Sequence, residues 1–418
     1  MREMIRRLDS PQEFAETASR LRQVATEKPL SATMVLEIFE RWASALHGPG
    51  LDGVPGLAFF RLWLRRGTLE PILRRELGLD LLDGGWRDEG RTRLRSFPVG
   101  VVGHWPAGNI EIQPVVSLTC ALLGGNACVV RVPSGLQEAT RYIIEKLEQA
   151  DESGVLPQRI LMTTFEHSRF DLHRAMAQVV DGAMIWGGAE AVTQIRGLPF
   201  PHWARIAAFG PRLSVAAMDA SSWGNRSERD SWCRRIARDV GLFEQQACSS
   251  PQALFLERDS RCDLNEFLQC LRRAFDEENR LHPRRIIDLA LTSAICQARS
   301  SWLLDDIAHR ALFPKSPDWT ILIGEGPVIP NPTQGRTLNV LVVDSLFEPI
   351  ARFDGTVQTL GLGVSDVHKE ESLALAAGQR GVDRIVKLGR MHVFSSPWDG
   401  ADLIRPMVRL VRHLRSQN

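Results

Sequence analysis

Apolar residues recur at helical spacing along the first eighty positions of the chain. In residues 11–27, PQEFAETASRLRQVATE, and 31–47, SATMVLEIFERWASALH, they lie three and four positions apart, which is the period of one face of an α-helix. The pattern continues through PILRRELGLDLL until the glycine pair at 84 and 85. It therefore predicts a helical N-terminal segment.

From about residue 97 the chain changes to short apolar runs separated by amphipathic stretches. FPVGVVGHW, NACVVRVPSG, RILMTTFE and GAMIW read as buried strands, and ARIAAFGPRLSVAAM reads as a strand pair. Helical stretches such as LQEATRYIIEKLEQAD lie between them. This alternation predicts a doubly wound α/β sheet.

A second unit is expected after about residue 222. A helix-like segment leads into FEQQACSSPQ, PQALFLE follows as a strand, and residues 263–309 have the pattern of a long helical stretch. The tail ADLIRPMVRLVRHLRS fits either an amphipathic helix or a pairing strand. We therefore predict domains at 1–222 and 223–395, and a tail at 396–418 that is a candidate for oligomerisation.

Length and charge narrow the class of protein. A chain of 418 residues is too long for one hydrophobic core. The formal net charge of +1 gives no strong field to attract nucleic acid or anionic lipid. The apolar runs are far shorter than the roughly 18 residues of a membrane span. We expect no nucleic-acid partner and no membrane span.

The cysteines and histidines do not have the spacing of a metal site. The 7 cysteines include no CxxC pair, and the 10 histidines form no HExxH pattern. The first residues, MREMIRRLDSPQEF, are charged and lack the apolar stretch of a signal peptide. We therefore expect a cytoplasmic protein with reduced thiols and no metal ligands.

One cysteine, Cys248, stands where a turn is expected to begin. A helix-like segment precedes it and Ser249, Ser250 and Pro251 follow. Backbone amides in such a turn can point at one spot and form half of an oxyanion hole, and a nucleophilic thiol needs that kind of exposed position. The alternative is an ordinary buried cysteine.

The loop GHWPAGN at 103–109 is the second candidate site. It follows a predicted strand, where ligands bind in open α/β sheets. Pro106 and the small residues after it leave room for a cofactor, and Asn109 offers an amide N–H to a developing oxyanion. The alternative is a plain loop in which Asn109 caps a helix. His104 reads as structural.

Glycines in WGGAEA, at 186–191, lie between a predicted strand and a predicted helix. Gly187 and Gly188 could let a pyrophosphate approach the start of that helix. The pattern is not GxGxxG, so alone it is weak.

Taken together, four motifs resemble one family. GVVGHWPAGN, NACVVRVPSG, FGPRLSV and FEQQACSSPQ have the order and rough spacing of the aldehyde dehydrogenase superfamily. In detail they are similar to its acyl-CoA reductase branch, the LuxC-like fatty-acid reductases, as are QTLGL at 358–362 and DRIVKLGRMHVFSSPWDG at 383–400. The resemblance covers about 97 to 410 and implies an aldehyde-dehydrogenase-like α/β fold, with a cofactor domain and a catalytic domain.

The resemblance also implies roles for individual residues. Cys248 would be the nucleophile, and Asn109 with the backbone N–H of Cys248 would hold the oxyanion. The cofactor residues implied in this way are Pro106, Arg131, Pro133, Ser134, Gly187, Gly188 and Gly210.

The chain departs from the superfamily at three positions. Ala208 stands where hydrolytic members have the glutamate that activates water, which implies that an acyl enzyme survives to be reduced. Gly135 stands where an acidic residue would repel a 2′-phosphate, which favours NADPH and leaves NADH possible. Ser345 stands where a ribose-binding glutamate is usual.

The predicted function is reduction of an acyl-CoA or acyl-carrier thioester to an aldehyde through an S-acyl enzyme at Cys248. Two alternatives stay open, an oxidative NAD(P)-dependent aldehyde dehydrogenase and an acyl-transfer protein without redox chemistry. The resemblance further suggests an acyl-activating synthetase partner and a homo-oligomer. Glu244 is a candidate base for the thiol, with its direction unknown.

Overall fold

The computed structural model describes residues 5–284 and 288–415. The chain forms two compact units. Unit 1 contains the chain up to Gly210 and resumes at Phe394, and unit 2 is Pro211–Val393. The boundary predicted from the sequence, at 222, thus lies beyond the point where the chain enters unit 2, and the tail from 396 folds as part of unit 1.

The helices and strands are numbered in chain order. The α-helices are α1 Pro11–Glu27, α2 Ala32–Ala45, α3 Leu57–Trp63, α4 Arg66–Glu76, α5 Leu79–Leu82, α6 Gln113–Leu123, α7 Gln137–Ala150, α8 Phe170–Val179, α9 Ala189–Arg196, α10 Ala220–Trp223, α11 Arg229–Gly241, α12 Leu264–Leu281, α13 Leu289–Asp305, α14 Phe347–Ala351 and α15 Val367–Gln379. The strands are β1 Arg87–Glu89, β2 Thr92–Pro98, β3 Val101–Trp105, β4 Ala127–Arg131, β5 Ile160–Thr163, β6 Gly182–Trp186, β7 Arg205–Phe209, β8 Leu213–Met218, β9 Pro251–Glu257, β10 Arg310–Leu312, β11 Thr320–Glu325, β12 Thr337–Val343, β13 Val357–Gly363, β14 Arg384–Lys387 and β15 Val408–Leu414. Short 3₁₀ helices lie at Ser134–Leu136, Pro157–Arg159, Leu242–Gln245 and Arg405–Met407.

The N-terminal helices confirm the periodic pattern. Ser10 and Glu13 form a reciprocal capping box at the start of α1, which satisfies backbone donors that the first turn leaves unpaired. Ser31 caps α2 through the backbone N–H of Met34. Their apolar faces, which include Phe14 and Trp42, are buried.

A five-stranded parallel sheet lies at the centre of unit 1, in the order β5-β4-β3-β6-β7. The strands β3, β5 and β6 are buried along their whole length. This is expected of parallel strands with both faces covered, because neither face meets water. The chain proceeds from β3 outward to one side and then to the other, so the predicted doubly wound sheet is confirmed.

The chain's tail forms a strand that completes unit 1. β15 pairs antiparallel with β2, in a three-stranded sheet ordered β1-β2-β15, so the pairing alternative was right and the helical one wrong. Next to this sheet the buried carboxylate of Glu76 accepts hydrogen bonds from the backbone N–H groups of Ile404 and Arg405, both at 2.9 Å. The tail thereby supplies partners for a buried anion.

Unit 2 contains a seven-stranded sheet in the order β10-β11-β12-β9-β8-β13-β14. All neighbours are parallel except the pair β10–β11. β8 lies near the middle of this sheet, whereas β7 is an edge strand of unit 1. The predicted strand pair at 204–218 therefore divides between two sheets. No helix within the described ranges is long and apolar enough to cross a membrane.

Candidate active site

Cys248 follows a turn with unusual backbone geometry. Helix α11 ends at Gly241, seven residues before the thiol, and Phe243, Glu244 and Gln245 then have φ of 55°, 53° and 61°. Non-glycine residues adopt this left-handed region at a cost of order 1 kcal/mol or more each, so the surroundings must hold them there. The helix predicted to run up to Cys248 ends early for this reason.

The buried side chain of Gln245 fixes the turn against two neighbouring strands. Its amide nitrogen donates to the carbonyls of Pro251, at 2.8 Å, and Thr337, at 2.9 Å. Its amide oxygen accepts from the backbone N–H of Thr337 at 2.6 Å. These contacts pair the polar atoms of a buried amide, and they tie the turn to the first residues of β9 and β12.

Glu244, the candidate base, is held by two arginines. Its carboxylate lies 2.7 Å from Arg336 and 3.2 Å from Arg284, and each arginine side chain is only 5% exposed. The backbone N–H of Gly335 donates to the carbonyl of Glu244 at 3.1 Å. The carboxylate therefore anchors the turn and pairs with two nearly buried cations, of whose two charges it balances one.

The peptide groups on both sides of Cys248 are fixed. Ser214, buried on β8, donates its hydroxyl to the carbonyl of Cys248 at 2.6 Å. The N–H of Ser250 donates to the carbonyl of Ala247 at 2.9 Å. Since a trans peptide is planar with its C=O and N–H opposed, the second bond sets the direction of the Cys248 N–H, the predicted oxyanion donor.

Cys248 differs from most other cysteines in its surroundings. Cys120, Cys128 and Cys233 are buried, and burial raises the pKa of each of these thiols, which keeps them unreactive. Cys248 is half-buried, and none of the seven cysteines is in a disulfide. The ordinary buried-cysteine alternative therefore does not describe it.

A buried histidine contacts the residue next to the thiol. The hydroxyl of Ser249 lies 2.9 Å from Nδ1 of His392, whose Nε2 lies 2.7 Å from the carbonyl of Asp239. Because a carbonyl only accepts, Nε2 carries the proton and Nδ1 accepts from Ser249. Burial lowers the pKa of His392 to about 4, so the ring is neutral. No local sequence signal pointed to this residue.

The predicted cofactor residues of unit 1 share one edge of the five-stranded sheet. All lie in the last position of a strand or in the loop after it. Pro106 follows β3, Arg131 ends β4, Pro133 and Ser134 follow it, Gly187 and Gly188 follow β6, and Gly210 follows β7. Asn109, the predicted oxyanion donor, also follows β3.

Glycine residues leave space along this edge of the sheet. A Cβ added to Gly188 or Gly210 would meet no atom within 4 Å, and one at Gly108 would be 3.5 Å from Pro133. Gly188 is also the residue before the first turn of α9, where backbone N–H groups are oriented toward an anion. The edge therefore fits the pyrophosphate of a dinucleotide.

Two predicted residues have other contacts as well. Arg131 donates to the carbonyl of Phe165 at 3.3 Å and lies over its ring, and burial lowers the pKa of this guanidinium. The loop of Asn109 is held by Gln113, which accepts from the N–H of Ala107 at 3.2 Å. Asn109 is exposed and lies in unit 1, whereas Cys248 lies in unit 2. Their joint role stays a prediction.

A buried network below this edge was not predicted. The hydroxyl of Ser117 lies 2.7 Å from Nδ1 of His104 and accepts from the indole of Trp186 at 3.0 Å. Trp186 stacks on Phe209 with 3.9 Å between ring centroids. His104 is completely buried, and burial lowers its pKa to about 3. Its predicted structural role is confirmed.

The structure shows the contacts at two of the three positions where the chain differs from the superfamily pattern. Ala208 lies on β7, opposite Ile185 of β6, so no carboxylate is present at that strand position. The backbone N–H of Ser345 donates to Glu348 at 3.1 Å. Glu348 thus caps its own turn in the segment where the superfamily's ribose-binding glutamate is usual.

Known proteins were compared by sequence and by structure. The family model for acyl-CoA reductase (LuxC) matches residues 48–413. The long-chain acyl-protein thioester reductase of Vibrio harveyi is 24% identical over 361 residues, covering 83% of this chain and 70% of that protein. Its counterpart from Aliivibrio fischeri is 23% identical over 358 residues, covering 84% and 72%.

Solved structures of aldehyde dehydrogenases have a similar fold. Glyceraldehyde-3-phosphate dehydrogenase GapN from Methanocaldococcus jannaschii, complexed with NADP, gives a TM-score of 0.71 at 12% identity, covering 98% of this chain and 96% of that chain. Aldehyde dehydrogenase KauB from Pseudomonas aeruginosa gives 0.68 at 13% identity, covering 97% and 89%. Bifunctional proline utilization A gives 0.69 at 15% identity, and this chain spans only 45% of its length.

These matches confirm the resemblance read from the motifs and the aldehyde-dehydrogenase-like fold. They also confirm the predicted reaction class, the reduction of an acyl thioester. The chain belongs to the acyl-CoA reductase (LuxC) family.

Proposed function

We propose that this protein reduces an acyl thioester to an aldehyde through an S-acyl intermediate on Cys248, with NADPH as the reductant. The observation that carries the proposal is the turn at Cys248. A half-buried thiol is placed there by three left-handed residues, of which Gln245 is buried and hydrogen-bonded and Glu244 is paired with two arginines. Such a costly arrangement is typical of a functional site.

The residues of unit 2 position the nucleophile. The sulfur of Cys248 forms a bond to the thioester carbonyl carbon, and the bond from that carbon to the donor's sulfur breaks. The donor leaves as a thiol that carries the proton lost by Cys248. Ser214 and the Ser250–Ala247 hydrogen bond hold the flanking peptides, so the Cys248 N–H needs no rearrangement to meet negative charge on the carbonyl oxygen. Preorganised donors of this kind stabilise an oxyanion at little cost in reorganisation. We assign the second donor to Asn109.

A bound nicotinamide supplies the hydride that reduces the acyl carbonyl. Residues of unit 1 that would hold the dinucleotide are Pro106, Arg131, Pro133, Ser134, Gly187, Gly188 and Gly210. Ala208 provides no general base, so water is not activated and the S-acyl group persists until it is reduced.

Support for NADPH comes from Gly135. It lies in the 3₁₀ helix after β4, and a Cβ built there would meet no atom within 4 Å. The position therefore has neither the carboxylate that would repel a 2′-phosphate nor a side chain that would fill the space. NADH remains an alternative cofactor in our proposal.

We infer that the acyl donor is a thioester on a protein or on CoA. The relatives are named as acyl-protein thioester reductases, whereas the family description names acyl-CoA. An acyl-activating synthetase as partner and a homo-oligomeric assembly are further parts of this proposal.

The test is acylation of the protein by radiolabelled long-chain acyl-CoA without a reductant. We expect label on the wild type, its release as aldehyde when NADPH is added, and no label on Cys248→Ala or Cys248→Ser. Cys296→Ala is the matched control, because Cys296 is an exposed cysteine in the same unit, and it should be labelled normally. Full labelling of Cys248→Ala would refute the assignment. Label that NADPH never releases would favour the acyl-transfer alternative.

A further inference from the structure

A polar cavity lies in unit 2, at the carboxyl ends of strands whose amino ends lie near Cys248. It is an open cleft of about 420 Å³, and its polar lining consists of Glu228, Ser231, Trp232, Arg235, Ser365 and Lys387, of which only Ser231 and Trp232 are not exposed. Cys248 precedes the amino end of β9, whereas Ser365 follows β13 and Lys387 ends β14. Because these strands run parallel, the thiol and the cavity are about one strand length apart, roughly 20 Å for seven residues.

The spacing along α11 directs one face of the helix at this cavity. Glu228, Ser231, Trp232 and Arg235 are three, four and seven positions apart, so they share one helical stripe. The other wall comes from the ends of the neighbouring strands β13 and β14. Two independent elements therefore converge on one volume.

The place in the sheet is one where α/β proteins bind ligands. After β8 the chain goes to β9 on one side of the sheet, and after β13 it goes to β14 on the other. Helix α11 packs in the core on one face, with Met218 and Leu254, and α15 packs in the core on the other, with Val215 and Phe255. Carboxyl ends of strands at such a reversal form a ligand crevice, and the cavity lies beside the reversal, at the ends of β13 and β14.

Donors dominate the lining of the cavity. Arg235 and Lys387 carry positive charge, and Arg235 also interacts electrostatically with the buried carboxyl group of Asp239. Ser231 and Ser365 add hydroxyls. Glu228 is the one carboxylate of this lining, so the charged side chains sum to one positive charge. This balance suits an anion.

The arginine is held in place before any ligand binds. Its stem lies against Gly389, where an added Cβ would come within 2.8 Å of its Cγ, and its guanidinium lies 4.7 Å from the centroid of the Trp232 ring. Arg235 is exposed, but these two contacts restrict its side chain and so reduce the conformational freedom that it loses on binding.

One further polar group lies at the rim of the cavity. The Ser365 hydroxyl lies 2.8 Å from that of Ser222, and its backbone N–H lies 3.4 Å from Asp219. Ser365 is thus fixed at the rim.

We infer that this cavity binds the phosphate group of a phosphorylated small molecule. The two cations and the hydroxyls match a phosphate monoester, and the volume exceeds that of phosphate alone, which leaves room for an organic group. Its lining belongs to unit 2 and does not include Cys248, whereas the residues proposed to hold the dinucleotide belong to unit 1.

The test is calorimetric titration of the full-length protein with inorganic phosphate and with adenosine 5′-monophosphate at constant ionic strength, with and without saturating NADPH. We expect both probes to bind, with the nucleotide tighter, and NADPH to leave this binding in place. Arg235→Gln and Lys387→Met should each weaken binding by about tenfold, or about 1.4 kcal/mol, because each removes a charge-assisted contact with the anion. Arg234→Gln, at an exposed arginine next to the cavity on the same helix, should bind normally.

The inference is overturned if neither probe binds at millimolar concentration, or if both charge variants bind like the wild type. Binding that NADPH abolishes would assign the probes to unit 1 and also reject the cavity. Acylation of Cys248 by acyl-CoA should be unchanged in Arg235→Gln and Lys387→Met, so failure of this site and failure of the proposed reaction can be told apart.

Discussion

The substitution Glu244→Gln separates an anchoring role from a catalytic one. It keeps the shape of the side chain and removes its charge, which leaves two arginines, each only 5% exposed, facing a neutral amide. Removing one partner of a buried pair typically costs about 3–5 kcal/mol. Glu244 itself is 26% exposed and glutamine can still accept one hydrogen bond, so we expect a loss of about 2–3 kcal/mol in the free energy of unfolding.

The assay is urea unfolding followed by circular dichroism, together with the pH dependence of Cys248 acylation. An anchoring carboxylate predicts lower stability and an acylation profile of unchanged shape. The matched control is Glu266→Gln, which also removes a carboxylate with two arginine partners, Arg226 and Arg229, but is 39% exposed. It should cost no more than about 1 kcal/mol.

The reasoning would be refuted by the opposite pattern. If Glu244 were the general base, the variant would keep its stability and lose about 10²–10⁴-fold in acylation rate, as is usual for removal of such a group.

Three further predictions concern pH, water and the cofactor. Burial lowers the pKa of His104, His173 and His392 to about 3 or 4. As the pH falls below about 6.5, these histidines therefore take up protons only in the unfolded chain. Burial raises the pKa of Asp239 to about 7, so the folded chain holds a proton there that the unfolded chain lacks, and this offsets one of the three histidine protons. Stability should therefore be greatest above pH 6.5 and fall by about 2–3 kcal/mol per pH unit toward 4.5; a flat dependence in urea unfolding would contradict this. Ala208→Glu should raise acyl-CoA hydrolysis in a thioesterase assay, and an unchanged rate in a folded variant would argue against our interpretation of that position. Gly188→Asp places a carboxylate in open space and should raise KM for NADPH by about tenfold or more through repulsion of the pyrophosphate, without loss of stability.

Sequence patterns identified the strands well because parallel strands covered on both faces are continuously apolar. β3, β4 and β6 all fall within the predicted runs. The boundary between the units could not be predicted in this way. β7 and β8 are adjacent in sequence and both are apolar runs, and no local pattern shows that they belong to different sheets.

The turn before Cys248 could not be predicted from its own residues. Phe243, Glu244 and Gln245 are not the glycine or asparagine that usually adopt positive φ. Their conformation depends on Thr337 and Arg336, both 92 residues from their partners in this turn. His392 likewise meets Ser249 across 143 residues, and only the fold brings such pairs together.

The return of the tail to unit 1 has a consequence for biosynthesis. Glu76 and Arg405 are 329 residues apart, so at roughly 5–20 residues per second the ribosome delivers the partners of that carboxylate tens of seconds after the glutamate itself. During this interval β2 of the nascent chain has no β15 to pair with. A premature stop codon between residues 210 and 408 would make that transient state permanent, because β15 begins at Val408. Such fragments should be prone to degradation even though every residue of the predicted cofactor edge is present.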